Sequence, residues 1–374
     1  MIYFDSAATT FQKPGAVANA MMDALGTMSS PGRGGYGAAM RAADAAFACR
    51  EELAELFHLK NPEQVVFTSN ATHALNIAIK SLVPRGGRAV ISGYEHNAVT
   101  RPLAALRAET AVAAAPLFEP EAVEAAFARE INSQTDAVIC NHVSNVFGFI
   151  QPVEAVAALC RSRGVPFIID ASQSAGVLPL NMEALGAAFI AMPGHKGLYG
   201  PQGTGVLLCG EGIETLPLLE GGTGSMSLQQ AMPDFLPDRL EAGTHNMPGI
   251  AGLLAGVRFV RSQGESAICR RERLLALAAA EGLKKLPGVR VYARPDLADQ
   301  AGVVSFTAEG REVEALAGAL AERGIAVRAG LHCAPLAHQT AGTVDTGTVR
   351  ASFSHWNTPQ EVGRFLAAMG EILR

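Results

Sequence analysis

The chain reads as an α/β fold, a mostly parallel sheet covered on both faces and followed by a smaller α/β region. Two observations predict this. Strand-like and helix-like segments alternate from Gln64 to Asp170, the pattern of repeated crossovers between parallel strands. The strand-like segments, such as Val65-Val66-Phe67, Ala137-Val138-Ile139-Cys140 and Phe167-Ile168-Ile169, are apolar throughout rather than at every second position, so both faces of the sheet are buried.

Residues 1–14 read as extended, ending at Lys13-Pro14, and an amphipathic helix follows from about Ala16 to Leu25, stopped by Gly26. Ser29 to Gly37 is a glycine-rich loop; it lacks the preceding strand and the Gly-Lys-Ser/Thr ending of a nucleotide phosphate loop, and its Arg33 is available to an anion. A long helix is expected from Ala39 to Phe57. Strands are then expected at 64–68, 88–92, 111–114, 137–140, 166–170 and 205–209. Helices fall between them at 72–82, 98–107, 120–129 and 152–163. Helical runs at 248–262 and 267–286 lead into the second region. It has strands at 303–306, 325–328 and 349–353, and helices at 313–323 and 360–373.

The 374 residues suffice for two domains. With 49% hydrophobic and 17% charged residues and a formal net charge of −5, attraction to nucleic acid or membrane is not expected. The amino terminus has no basic segment followed by an apolar one, as a signal peptide would, and no apolar run is long enough to span a bilayer. Six cysteines without C-x-x-C spacing indicate neither a zinc site nor a disulfide framework, so a reducing cytoplasm is expected and no metal. Cys49, Cys140, Cys160, Cys209 and Cys269 lie in apolar runs and read as small buried hydrophobes, which leaves Cys333 apart.

Three polar residues stand at successive strand ends. Lys196 follows the apolar run 187–192 in Pro193-Gly194-His195-Lys196-Gly197, Asp170 ends a β-branched run, and His96 follows Arg88 to Ser92 in Tyr94-Glu95-His96-Asn97. Taken singly, these read equally as an exposed loop lysine, a helix-capping aspartate and a polar loop histidine. Taken together, they suit an aldehyde cofactor bound at the carboxyl ends of parallel strands, with the lysine as its Schiff-base partner.

With these motifs in order, the whole chain resembles the class V aminotransferase family of fold-type I pyridoxal phosphate (PLP) enzymes, and within it the cysteine desulfurases. The resemblance implies a large PLP-binding domain over 15–255 with a mostly parallel seven-stranded sheet. It also implies a smaller domain formed by 1–14 and 256–374. Lys196 would form the imine and shuttle a proton, while Asp170 would pair with the ring nitrogen and His96 stack on the ring. An ion pair of the Asp170 kind is worth about 4 kcal/mol at about 4 Å and an effective dielectric near 20. Gln173 and Asn145 would face the ring oxygen and its neighbourhood. Thr72 and His195 would bind phosphate beside the helix amides at Asn70-Ala71-Thr72-His73. Glu241 to Asn246 resembles a segment supplied by the second subunit, with Thr244 the contact, and so implies a homodimer with shared active sites.

The match has departures. Pro193 replaces a serine, Ala71 a threonine, and Gly197 is one residue more than the family places after the lysine. Thr223, Ser225 and Ser227 are possible substitutes for the phosphate donors that the serine and threonine would supply. The segment Val327 to Pro335 resembles the short catalytic-cysteine loop of desulfurases. Cys333 would be the nucleophile, taking sulfur as a persulfide, with His332 or Arg328 as its activating neighbour. Arg350 matches the arginine that clamps the substrate α-carboxylate. The implied reaction converts L-cysteine to L-alanine, with a sulfur-acceptor protein as a possible partner. Alternatives are a selenocysteine lyase, a class V aminotransferase in which Cys333 is incidental, and a non-catalytic sulfur-carrier scaffold.

Overall fold

The structure, a computed structural model, describes residues 1–31, 34–294, 296 and 298–374. Arg33 lies outside the described residues. Thirteen strands occur among them: β1 Ile2–Tyr3, β2 Val65–Thr68, β3 Arg88–Ser92, β4 Glu109–Ala113, β5 Ala137–Asn141, β6 Phe167–Asp170, β7 Phe189–Pro193, β8 Gly205–Cys209, β9 Val289–Tyr292, β10 Val303–Ala308, β11 Ile325–Ala326, β12 Arg328–Gly330 and β13 Thr348–Ser352.

The expected mostly parallel sheet has seven strands in the order β2-β8-β7-β6-β5-β3-β4, and β8 alone runs against the others. Its apolar strands feed two cores, because successive side chains point to opposite faces. From β5, Val138 and Cys140 pack with the helices Gly37–Leu56, Pro120–Glu130 and Val153–Arg163. Ala137 and Ile139 pack with the helices Ala71–Leu82 and Asn97–Leu106. Both faces are therefore covered.

The second region is built on an antiparallel sheet, β12-β13-β10-β9. It is backed by the helices Glu265–Leu283, Val313–Glu322 and Pro359–Ile372. Ile2 and Phe4 belong to this core, and β1 pairs in parallel with β11. The strand expected at 325–328 is in fact two. Ile325 and Ala326 pair with the amino terminus, whereas Arg328 to Gly330 pair with β13. Sequence reasoning also passed over β9 and the short helix Pro335–Ala341 behind Cys333.

Because β2, β3, β5, β6 and β7 run the same way, their carboxyl ends lie along one edge of the sheet. The segments leaving those ends carry Asn70 to Thr72, His96, Asn145, Asp170 and Lys196.

Candidate active site

Lys196, Asp170, His96, Asn145, Gln173 and His195 line one cavity, together with Asn70, Ala71 and Thr72. The strand register sets this up. Asp170 is the last residue of β6, flanked by Asn141 of β5 and Ala191 of β7. It is buried, and its Oδ1 accepts the Ser172 amide at 2.9 Å.

Lys196 is recessed and only partly open to solvent. Burial, aided by the charges of Arg350 and Arg328, lowers its pKa to about 8, while Asp170 opposes that shift. The ε-amine is thus far more often neutral near pH 8 than an ordinary lysine.

His96 caps the helix Asn97–Leu106, its Nδ1 accepting the Ala98 amide at 3.0 Å. That bond leaves the ring proton on Nε2. Burial lowers the His96 pKa and Asp170 pulls the other way, so the ring remains mostly neutral at pH 7.

Asn145, in the loop after β5, ties the two regions together. Its Nδ2 donates to the His332 carbonyl at 2.8 Å, and its own carbonyl accepts from Arg350 Nη1 at 2.8 Å. Its buried Oδ1 has no partner. Arg350, on β13, is 2% exposed and its Nη2 meets Asp5 Oδ1 at 2.7 Å. The Arg350 Nε–H is buried and unpaired. Sequence reasoning missed Asp5, which lies in the motif Tyr3-Phe4-Asp5-Ser6.

Gln173 donates from Nε2 to the Ala7 carbonyl at 3.0 Å. His195 faces Thr9 through Nδ1 at 3.0 Å, and burial lowers its pKa to about 4. Thr72 lies in the first turn of the helix Ala71–Leu82, which Asn70 caps by accepting the His73 amide.

Thr244 does not line this cavity. It lines an exposed groove on the other side of Asn70 and Thr72. The segment that carries it is anchored by a buried clamp: Arg50 meets Glu241 through two bonds of 2.9 and 2.6 Å, and His245 Nε2 lies 2.6 Å from the same carboxylate. Thr223, Ser225 and Ser227 are likewise absent from the cavity wall, and Ser225 Oγ donates to Asp238. Within one chain they therefore do not make up for the hydroxyls that Pro193 and Ala71 lack.

The additional Gly197 has a packing reason. A Cβ on it would strike the Ala175 carbonyl oxygen, and a Cβ on Gly176, at φ +78°, would strike the Gly197 carbonyl. The lysine loop and the loop after Asp170 thus touch backbone to backbone.

Cys333 is exposed, whereas the other five cysteines are buried. Its carbonyl accepts the Asn97 amide at 2.8 Å, so its loop docks against the helix that His96 caps. Thr340 Oγ1 adds a bond to the Gly93 carbonyl at 2.7 Å. His332 and Cys333 both have left-handed backbone, φ +50° and +57°, which non-glycine residues seldom adopt. The expectation that His332 activates the thiol is corrected. His332 is buried, its Nε2 faces Thr348 oxygens at 3.1 and 3.2 Å, and burial drives its pKa to about 2. It is neutral and a poor base. Arg328 is exposed and sits across from Arg350 in the β12–β13 pair.

Comparison with known proteins adds the family. The model for "Aminotransferase class-V" matches residues 2–365. The chain belongs to the class V aminotransferase family. A protein of Xylella fastidiosa named "Probable cysteine desulfurase" is 35% identical over all of this class V chain, which spans 91% of that relative. One of the same name from Mycolicibacterium paratuberculosis is 33% identical, and there the chain spans 55% of the relative's length. Among solved structures, the apo cysteine desulfurase of Thermococcus onnurineus superposes with a TM-score of 0.91 at 33% identity, covering 100% of this chain and 94% of that one. The desulfurase CsdA of Escherichia coli gives 0.86 at 27% identity, covering 99% and 94%. No helix among the described residues is long and apolar enough to cross a membrane.

Proposed function

We propose that the protein is a PLP-dependent cysteine desulfurase that releases L-alanine and keeps the sulfur on Cys333. The observation that carries this reading is the convergence of Lys196, Asp170 and His96 on one cavity, with the exposed Cys333 loop bonded to the helix His96 caps. The donor set fits the cofactor: a recessed amine for the aldehyde, a buried carboxylate for the ring nitrogen, an imidazole for the ring face and helix amides for phosphate. The buried, unpaired Asn145 Oδ1 and Arg350 Nε supply further polar atoms for cofactor and substrate.

When bound, the cofactor supplies an electron sink for the substrate's α-carbon. The protein's part follows from its residues. Arg350, held in place by Asp5 and the Asn145 carbonyl, offers its free Nε–H to the α-carboxylate. Lys196, with an amine pKa near 8, takes and returns the α-proton. Cys333 attacks the substrate sulfur as a thiolate. A sulfur–sulfur bond forms, the substrate's carbon–sulfur bond breaks, and the carbon keeps the electron pair and gains a proton as the methyl of alanine.

Thr244 reaches the phosphate of a second subunit in this reading, which makes the working unit a homodimer, with division into 15–255 against 1–14 and 256–374. A reducing cytoplasm suits six unpaired cysteines. A sulfur-acceptor protein would then take the persulfide from the exposed loop.

Borohydride reduction of the cofactor-loaded protein, followed by peptide mapping, should leave the pyridoxyl group on Lys196. Alanine should form from cysteine without a keto acid, and Cys333→Ala should abolish it. Label on another lysine, or undiminished alanine from Cys333→Ala, overturns the reading.

A further inference from the structure

Glu95 precedes His96 in the chain, yet it does not line the cavity and nothing in the reaction above uses it. It is fully buried. Its Oε1 lies 2.6 Å from Ser92 Oγ and accepts the Asn141 amide at 2.7 Å, while its Oε2 has no partner. These bonds join the ends of neighbouring strands. Ser92 ends β3, from which the turn to His96 departs, and Asn141 ends β5. Asn141 in turn pairs with Asp170, the end of β6, whose carbonyl accepts the His142 amide at 3.0 Å.

The hydrogens of this cluster can be counted. Ser92 Oγ has oxygen neighbours on two sides, Glu95 Oε1 at 2.6 Å and Asn141 Oδ1 at 2.9 Å. Asn141 cannot turn its amide to supply a hydrogen, because its Nδ2 already donates to the Tyr94 carbonyl at 2.9 Å. The single hydroxyl hydrogen of Ser92 serves one of the two contacts, so the other needs a hydrogen from the carboxyl. A carboxylate anion here would also leave a charged, buried Oε2 without a donor, which is costly.

We propose that Glu95 is a positioning residue, a neutral carboxylic acid whose hydrogen-bond chain through Ser92 to Asn141 fixes the His96 turn against the strand end that carries Asp170. The carboxyl donates to Ser92, and Ser92 donates to Asn141 Oδ1, which Gln151 Nε2 also reaches. Burial pushes the Glu95 carboxyl up to about 8 against the pull of its hydrogen bonds, and the Asp170 charge adds to the rise. A neutral carboxyl places no second negative charge beside Asp170. The other titratable groups around Glu95 are neutral at pH 7 as well. Burial raises Cys140 and Tyr94, and it lowers His142 and His96. The bearing on catalysis rests on His96 and Asp170 as contacts of the cofactor, but the hydrogen-bond chain itself does not.

The test uses the full chain freed of cofactor. The labelled His96 imidazole is followed by NMR against pH in wild type, Glu95→Gln and Glu95→Ala. Glutamine is neutral at every pH and its amide oxygen still accepts the Asn141 amide. The His96 proton affinity should therefore stay within about twofold of wild type, whereas removing an ionised carboxylate would lower it further. Alanine releases the turn, and as the ring loses burial its midpoint should rise toward the ordinary 6.5, with about a threefold gain in proton affinity. Infrared difference spectra of wild type against Glu95→Gln should show a protonated-carboxyl band at pH 7 that fades as pH rises through about 8. A lowered His96 midpoint in Glu95→Gln, an unchanged one in Glu95→Ala, or no such band overturns the proposal. A role in packing alone would lower the melting temperature of Glu95→Ala without moving the midpoint. If Glu95→Ala fails to fold, Ser92→Ala, which cuts the chain at its middle, replaces it with the same expected direction. Borohydride mapping of the loaded protein judges the cofactor reading separately, so the two fail independently.

Discussion

Asp5 Oδ1 lies 2.7 Å from Arg350 Nη2, joining the loop after the first strand to the strand that carries the proposed substrate clamp. The bond spans 345 positions of sequence, made local by the bridge between Asp5 and Ser352. Arg350 is buried, so its charge relies on this carboxylate and on the Asn145 carbonyl. Removing one partner of a buried pair leaves the other uncompensated, at about 3 kcal/mol for a pair of which one member is partly exposed. Asp5→Ala should therefore lower the unfolding free energy measured in urea by about that amount, and Asp5→Asn by less, because an amide oxygen still accepts. In the loaded enzyme, Asp5→Ala should raise the KM for cysteine more than it lowers kcat, since the guanidinium loses its orientation while Lys196 is untouched.

The site was legible in the sequence where it depends on strand ends. Lys196, Asp170 and His96 each follow an apolar run, and parallel strands deliver such residues to one edge. What was not legible depends on pairing between distant segments. Nothing near Asp5 announces that β1 lies beside β11, nor that residues 325–330 split between two partners. His332 misled for a related reason. A histidine beside a loop cysteine reads as its base, but His332 is buried and its Nε2 faces Thr348 oxygens, a contact between segments that the sequence does not announce.

The lowered pKa of Lys196 predicts a pH-dependent stability. Burial holds it at about 8 in the folded chain against 10.5 in the unfolded one. The unfolded chain binds the extra proton between those values, so this residue's contribution makes stability rise with pH from 8 to 10.5. Below pH 8 the cost of the buried cation is present in full. Lys196→Met, freed of cofactor, should melt at a higher temperature than wild type at pH 7, and the gap should narrow steadily above pH 8. A gap that is absent at pH 7, or constant with pH, is the contrary result.

The Arg50–Glu241 clamp makes the opposite prediction on the acid side. Burial alone would raise the Glu241 pKa, but Arg50 and His245 outweigh it and the folded value is lowered. Its stabilisation is therefore whole above the ordinary glutamate value of 4.5 and is lost as pH falls through the folded value. Glu241→Gln should cost about 3 kcal/mol at pH 7 by leaving Arg50 buried and unpaired, and the difference from wild type should shrink in urea titrations below pH 4.5. Because the clamp anchors the segment bearing Thr244, the homodimer proposed above should also form more weakly in this variant, as read by sedimentation. Unchanged association would separate the clamp from the shared site.

Gly197 ties the lysine loop to the loop that follows Asp170, and this contact permits no side chain. The Ala175 carbonyl that a Cβ would strike is backbone and cannot swing aside as a flexible side chain would. Gly197→Ala must then push the two loops apart, at about 1–3 kcal/mol for an overpacked interior. Lys196 is the adjacent residue, so the displacement reaches the amine directly. A shift of about 1 Å in a reacting group lowers rates up to about a hundredfold. The variant should fold with a modestly reduced melting temperature, bind the cofactor, and show a fall in kcat much larger than the change in KM. Gly197→Ala with wild-type kcat would mean that the loop contact is structural only, and that Lys196 takes its position from β7 and from Thr10, whose Oγ1 donates to the Lys196 carbonyl at 3.2 Å, rather than from the close approach of the two loops.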